Sequence, residues 1–123
     1  MGKKIVIAED EEHMGKMISF KLEKEGFEVI WKQNGASALE TIREQKPDLA
    51  LLDVMMPDMN GFEVLKAIRR DESLNSVKVV MLTAKGRETD IVDAINQGAA
   101  DYVVKPFRPA ELLARIKRLL IES

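Results

Sequence analysis

A chain of 123 residues suffices for one ordinary domain and is short for two. Without cysteine it carries no disulfide scaffold, thiol nucleophile or cysteine-ligated zinc or iron–sulfur centre. Nineteen basic against 21 acidic residues leave a net charge of −2, which gives no global pull toward nucleic acid, and 46% hydrophobic with 33% charged residues is the balance of an ordinary globular domain.

The start, Met1-Gly2-Lys3-Lys4, leads into a short apolar run that ends in acids, which is not the pattern of a secretory leader. That run, Ile5-Val6-Ile7-Ala8, is continuous, as in a strand buried on both faces. Met14, Met17, Ile18 and Leu22 then form a helical stripe, with Gly26 placed as its C-terminal cap. Phe27–Trp31 alternates more and reads as an edge strand. Asn34 can cap a second helix carrying Ala38, Leu39 and Ile42, which must stop before Pro47. Leu49–Leu52 is a third strand. Asn60-Gly61 reads as a turn whose glycine supplies a positive φ, ahead of a helix marked by Phe62, Leu65 and Ile68. Val77–Leu82 is the fourth strand, and Ile91, Ala94 and Ile95 mark a helix that ends at Gly98. Tyr102–Val104 is the fifth strand. Pro109 suits the first turn of a last helix, striped by Leu112, Leu113, Ile116, Leu119 and Leu120. No run approaches the roughly 18 apolar residues of a membrane span.

Five strands alternating strictly with five helices predict an α/β fold, one domain over residues 1–123, with a parallel sheet covered on both faces. In such sheets ligands sit beyond the carboxyl ends of the strands. The polar residues that follow the runs are therefore the informative ones. Glu9, Asp10, Glu11 and Glu12 follow the first, Asp53 the third, Thr83 the fourth and Lys105 the last. Glu9, Asp10 and Asp53 carry −3 against +1 on Lys105. Two carboxylates about 5 Å apart repel by roughly 3 kcal/mol at an effective dielectric near 20, so the surplus calls for a cation. Oxygen-only donors favour Mg²⁺ over zinc. A threonine hydroxyl and a lysine then complete a site for a phosphoryl group, which an aspartate can attack.

Taken together, Ile5 to Glu11, Asp48 to Gly61 with Asp53 at its centre, Leu82-Thr83-Ala84, and Asp101-Tyr102-Val103-Val104-Lys105-Pro106-Phe107 resemble the receiver domain of bacterial-type two-component response regulators, in its chemotaxis-regulator-like form. The resemblance implies a flavodoxin-like, doubly wound (βα)5 sheet in the order 2-1-3-4-5. It implies that Asp53 accepts a phosphoryl group from the phosphohistidine of a sensor kinase or a histidine phosphotransfer protein. It further implies that Glu9, Asp10, Asp53 and the Met55 carbonyl hold Mg²⁺, and that Thr83 and Lys105 bind phosphoryl oxygens. Thr83 and Tyr102 would move together as a switch, altering the face of helix 4, strand 5 and helix 5 that an effector or a second copy reads. A cis Lys105–Pro106 peptide is also implied. The module would catalyse only its own phosphorylation and dephosphorylation, in the cytoplasm, without touching nucleic acid or membrane, either alone or ahead of an effector domain.

Other residues read more plainly. Glu11 and Glu12 suit the first turn of helix 1, and His13 its surface. Phe20, off the stripe, reads as peripheral packing, and Arg115, Lys117 and Arg118 as a solvated face. Arg108 stands where a capping serine would serve the last helix better. Asp101, Glu111 and Arg115 are similar to the charges that pair receivers into dimers, although Ile91, Gln97 and Glu122 stand where matching charges would be expected. Met55 and Lys85 flank the path of a hydrolytic water and are expected to tune the lifetime of the phosphorylated state. A phosphatase using an aspartate nucleophile would want a second acid where Met55 stands, and a phosphorylation-independent binding module would not need the full acid–Asp–Thr–Lys set.

Overall fold

The continuous apolar runs become the strands of one parallel sheet, and the striped segments become helices on its two faces. The computed structural model describes residues 2–84 and 87–121. In chain order these form β1 (Lys4–Ala8), α1 (Glu12–Lys24), β2 (Glu28–Lys32), α2 (Gly35–Gln45), β3 (Leu49–Asp53), α3 (Gly61–Arg70), a 3-10 turn (Glu72–Leu74), β4 (Lys78–Ala84), α4 (Glu88–Asn96), β5 (Asp101–Lys105) and α5 (Pro109–Ile121). The strand order is β2-β1-β3-β4-β5, all neighbours parallel, which is the flavodoxin-like arrangement the resemblance implied.

Side-chain alternation along the strands sorts the core into two layers. Ile5, Ile7, Leu49, Leu51, Val80, Leu82 and Val103 pack against Ile18 and Leu22 of α1 and Leu112, Ile116 and Leu120 of α5. Val6, Ala8, Ala50, Leu52, Val79 and Met81 pack on the opposite face against Ala38, Leu39 and Ile42 of α2, Val64, Leu65 and Ile68 of α3, and Ala94 of α4. The inner strands are buried on both sides, so their central residues are apolar without alternation. β2 pairs only with β1 and is exposed or half-buried throughout, which is why its pattern alternates.

The helix ends follow local chemistry. Gly26 (φ 95°) and Gly98 (φ 98°) close α1 and α4 in the left-handed conformation. In each case the next amide reaches back to the carbonyl five residues earlier, Phe27 to Leu22 at 3.2 Å and Ala99 to Ala94 at 2.9 Å, as in a Schellman cap. Asn34 caps α2 by accepting from the Ser37 amide at 2.8 Å, and α2 ends two residues before Pro47.

Four details differ from the sequence pattern. Glu11 is not inside the first turn of α1 but is its N-cap, accepting from the His13 and Met14 amides at 2.8 and 2.9 Å. Gly61 does not adopt a positive φ. It is the first residue of α3, behind a capping box in which Asn60 and Glu63 bond each other's amides at 2.9 Å. Phe20 is 65% exposed with only the Lys24 ammonium over its ring, so it packs on no core. Ile95 is 55% exposed as well, because α4 turns Ala94 and Asp90 inward and leaves Val92 and Ile95 on its outer side. No helix among the described residues is long and apolar enough to cross a membrane.

Candidate functional site

Because all five strands run the same way, their carboxyl ends share one edge, and the order reverses where β1 lies between β2 and β3. Glu9 is the first residue past β1 and Asp53 the last residue of β3, so both stand at that reversal. Glu9 is fully buried and Asp53 is 3% exposed, while Asp10 beside them is exposed. One carboxylate oxygen from each of the three lies within 4.8 Å of the others.

Each carboxylate is held by partners that its position in the chain supplies. Asp53 Oδ1 accepts from the Met55 amide at 3.0 Å, and Oδ2 accepts from the Lys105 ammonium. Glu9 Oε2 accepts from the Glu11 amide at 3.0 Å, and Oε1 accepts from Lys105 Nζ at 3.4 Å, across 96 residues of sequence. Lys105 is the last residue of β5 and follows from the register that sets Ala84 beside it. The Lys105–Pro106 peptide is cis. Thr83 sits inside β4, which runs on to Ala84 rather than ending at Leu82, and the Thr83 hydroxyl is buried with no hydrogen-bond partner among the described residues. Tyr102, in β5, is half-buried against the α2–α4 layer. Lys85 and Glu122 lie outside the described residues.

The electrostatics are under-compensated. Burial, then the hydrogen bond and charge of Asp53, push the Glu9 carboxyl from 4.5 up to about 8, against the pull of the Glu11 amide and Lys105. Burial pulls the Lys105 ammonium down, but Asp53 and then Glu9 outweigh it and hold the group above its ordinary value. One ammonium thus faces three carboxyl groups. Burial and then a neighbouring carboxylate both oppose ionisation of Glu9, and an oxygen-only donor set of this size fits a hard divalent cation such as Mg²⁺.

The site also depends on a close backbone approach that the sequence pattern did not bring out. A Cβ on Gly61 would lie 2.5 Å from the Asp53 carbonyl oxygen, which is backbone and cannot swing aside. Gly61→Ala is therefore expected to cost roughly 1–3 kcal/mol of stability, measured by denaturant unfolding, and to displace the Asp53 loop. An unchanged midpoint would mean that α3 shifts freely and does not brace the site.

Between the start of β5 and α5, Asp101, Glu111 and Arg115 close on one another. Arg115 donates to both Asp101 oxygens at 3.1 Å and to Glu111 at 3.4 Å, with Arg118 adding a fourth contact at 3.5 Å. Within one chain these charges are already paired. Met55 exposes its side chain beside Asp53, Met56 is buried, and His13 is exposed on α1.

Comparison with known proteins agrees with this geometry. Residues 5–117 match the model of the response regulator receiver domain, and the chain belongs to that family. The family's members are signalling modules that are generally not enzymes. Over 120 residues the chain is 42% identical to the DNA-binding response regulator MtrA of Mycolicibacterium smegmatis, covering 98% of this chain and 51% of that protein. It is also 42% identical to the phosphate regulon transcriptional regulatory protein PhoB of Pseudomonas aeruginosa, covering 98% of this chain and 52% of that protein. The chain thus spans about half the length of these curated relatives. Among solved structures, a CheY-like response regulator receiver domain protein from Methanospirillum hungatei superposes with a TM-score of 0.91 at 32% identity, over 99% of this chain and 96% of that one.

Proposed function

We propose that this domain is a phosphorylation-driven switch that takes a phosphoryl group onto Asp53 from a phosphohistidine of a sensor kinase or a histidine phosphotransfer protein. The convergence of the Glu9, Asp10 and Asp53 oxygens within 4.8 Å, with the Lys105 ammonium on Asp53, carries this reading. Glu9, Asp10 and Asp53, with the Met55 carbonyl, would hold Mg²⁺, whose charge offsets the crowding of acid against phosphoryl oxygens.

Asp53 Oδ forms the new bond to phosphorus as the bond to the imidazole nitrogen breaks, and the electron pair leaves with the imidazole. The Met55 amide and Lys105 hold the Asp53 carboxylate from both oxygens, which fixes its direction of attack. Lys105 can then follow the negative charge onto a phosphoryl oxygen. The buried Thr83 hydroxyl, without a partner of its own, is a donor waiting for such an oxygen. Movement of Thr83 toward the phosphoryl group would leave room behind it for the half-buried Tyr102, and so alter the α4–β5–α5 face. That face would be read by an effector, or by a second copy once the Asp101–Arg115–Glu111 pairs are re-formed across the interface. The domain would act in the cytoplasm and would itself bind neither nucleic acid nor membrane. Met55 and Lys85 would tune the lifetime of the aspartyl phosphate.

The test is intact mass after incubation with acetyl phosphate, with Mg²⁺ and with chelator. One added phosphoryl group that requires Mg²⁺ is the expected result. No adduct, in a protein shown separately to bind Mg²⁺, would move the reading to a receiver that takes phosphoryl groups only from its kinase or to a phosphorylation-independent module.

A further inference from the structure

The one tryptophan of the chain is the penultimate residue of the edge strand β2, and its indole reaches the site's backbone. Trp31 Nε1 donates to the Glu9 carbonyl oxygen at 2.9 Å. The Glu9 amide in turn donates to the Lys32 carbonyl at 3.0 Å. Both polar groups of the Glu9 peptide are therefore tied to β2. β2 ends at Lys32, so the Glu9 carbonyl lies past the last rung of the β1–β2 ladder, and the indole N–H stands where a further backbone donor would be.

The helix next to it has been shaped for this contact. Gly15 sits in the interior of α1, where glycine is among the least favourable residues. It is buried, and a Cβ there would fall inside the van der Waals shells of Trp31 Cε2, Cζ2 and Nε1. Any side chain at position 15 would start where the indole lies and push it from the place from which its N–H reaches Glu9. A helix-weakening glycine and a large aromatic residue on an edge strand are thus two halves of one feature.

We propose that Trp31, seated on Gly15, is a positioning residue that holds the Glu9 peptide, and through it the Glu9 carboxylate, in place for a divalent cation. This rests on the reading of Glu9, Asp10 and Asp53 as the Mg²⁺ site. A group that fixes the backbone of a ligand residue governs how much of the ligand's reorganisation must be met at binding. The Glu9 side chain itself meets the Glu11 amide, the Asp53 carboxyl and, at 3.4 Å, Lys105, and the Trp31 bond anchors the backbone from which it extends.

Trp31→Phe keeps an aromatic ring on β2 and deletes the donor together with the part of the indole that meets Gly15. Calorimetric titration with Mg²⁺ is expected to show a dissociation constant about tenfold higher in this variant than in the wild type, with a cooperative thermal transition retained in chelator. Gly15→Ala, which displaces the indole while leaving its N–H intact, is expected to give a similar loss. In the Trp31→Phe background Gly15→Ala is expected to add little further loss of affinity, since the bond is already gone. The single indole N–H resonance of the ¹⁵N-labelled wild type should shift on adding Mg²⁺ and saturate with the calorimetric binding curve. An unchanged Mg²⁺ affinity in a folded Trp31→Phe protein overturns the proposal and assigns Trp31 to packing alone. A wild type that binds no Mg²⁺ overturns the metal site itself, and this proposal with it.

Discussion

Asp53→Asn is expected to take up no phosphoryl group from acetyl phosphate under conditions that modify the wild type fully. The carboxamide has the shape of the carboxylate but lacks the anionic oxygen that attacks phosphorus, so the loss is of the nucleophile and not of the fold. Two features argue that the variant stays folded. Asp53 is 3% exposed and the carboxamide fills the same space, and the substitution replaces a buried charge by a neutral group that needs less compensation. Against this, Lys105 loses its nearer partner, but its ammonium is partly open to solvent and keeps Glu9 within reach. The two effects oppose each other, so a thermal transition near that of the wild type is expected in chelator. Intact mass measures the uptake, and circular dichroism measures the fold. Retention of a Mg²⁺-dependent adduct by folded Asp53→Asn would mean that another acid, with exposed Asp10 the nearest, is the acceptor.

The fold was legible because two periods in the sequence carry independent information. Continuous runs such as Leu49–Leu52 can only be strands covered on both faces, and strict alternation with striped helices leaves few topologies. The strand order itself came from family resemblance, since no property of a single run states which neighbour it pairs with. The site was legible for the same topological reason: parallel strands bring Glu9, Asp53, Thr83 and Lys105 to one edge although the chain separates them widely. What stayed hidden depends on contacts between elements. Gly61 looked like a turn residue because its turn chemistry is local, whereas its actual constraint is the Asp53 carbonyl packed against it. Ile95 fitted a helical stripe, but α4 lies on the sheet through the smaller Ala94, and the sequence does not say which of two adjacent faces turns inward. Trp31 and Gly15 left one trace, a glycine in the middle of a helical pattern, and the partner that required it lies 16 residues further on in a different element.

Mg²⁺ affinity is expected to rise about tenfold per pH unit from roughly pH 5 to 7 and to level off above about pH 8, because one proton must leave Glu9 for each ion bound. The direction follows from the buried carboxyl. Burial first, and then Asp53, raise Glu9 from 4.5 to about 8, so the metal-free folded protein holds a proton that the unfolded chain releases across that window. Since the folded state binds more protons there, the metal-free fold is most stable below pH 4.5 as far as Glu9 is concerned and loses that contribution as pH rises through about 8. Saturating Mg²⁺ cancels that slope, since it binds the deprotonated form and compensates the charge that makes that form costly. Calorimetry in buffers of different ionisation enthalpy should accordingly find a proton released on Mg²⁺ binding at neutral pH, and a release that fades as pH rises past the Glu9 titration. Glu9→Gln isolates the cause. It carries no titrating proton, so its affinity, weaker at high pH by the loss of one anionic ligand, should be nearly independent of pH between 6 and 8. A wild-type affinity that stays flat over that range would show that Glu9 is ionised before the cation arrives, and that Lys105 and the Glu11 amide compensate the cluster more fully than its burial implies.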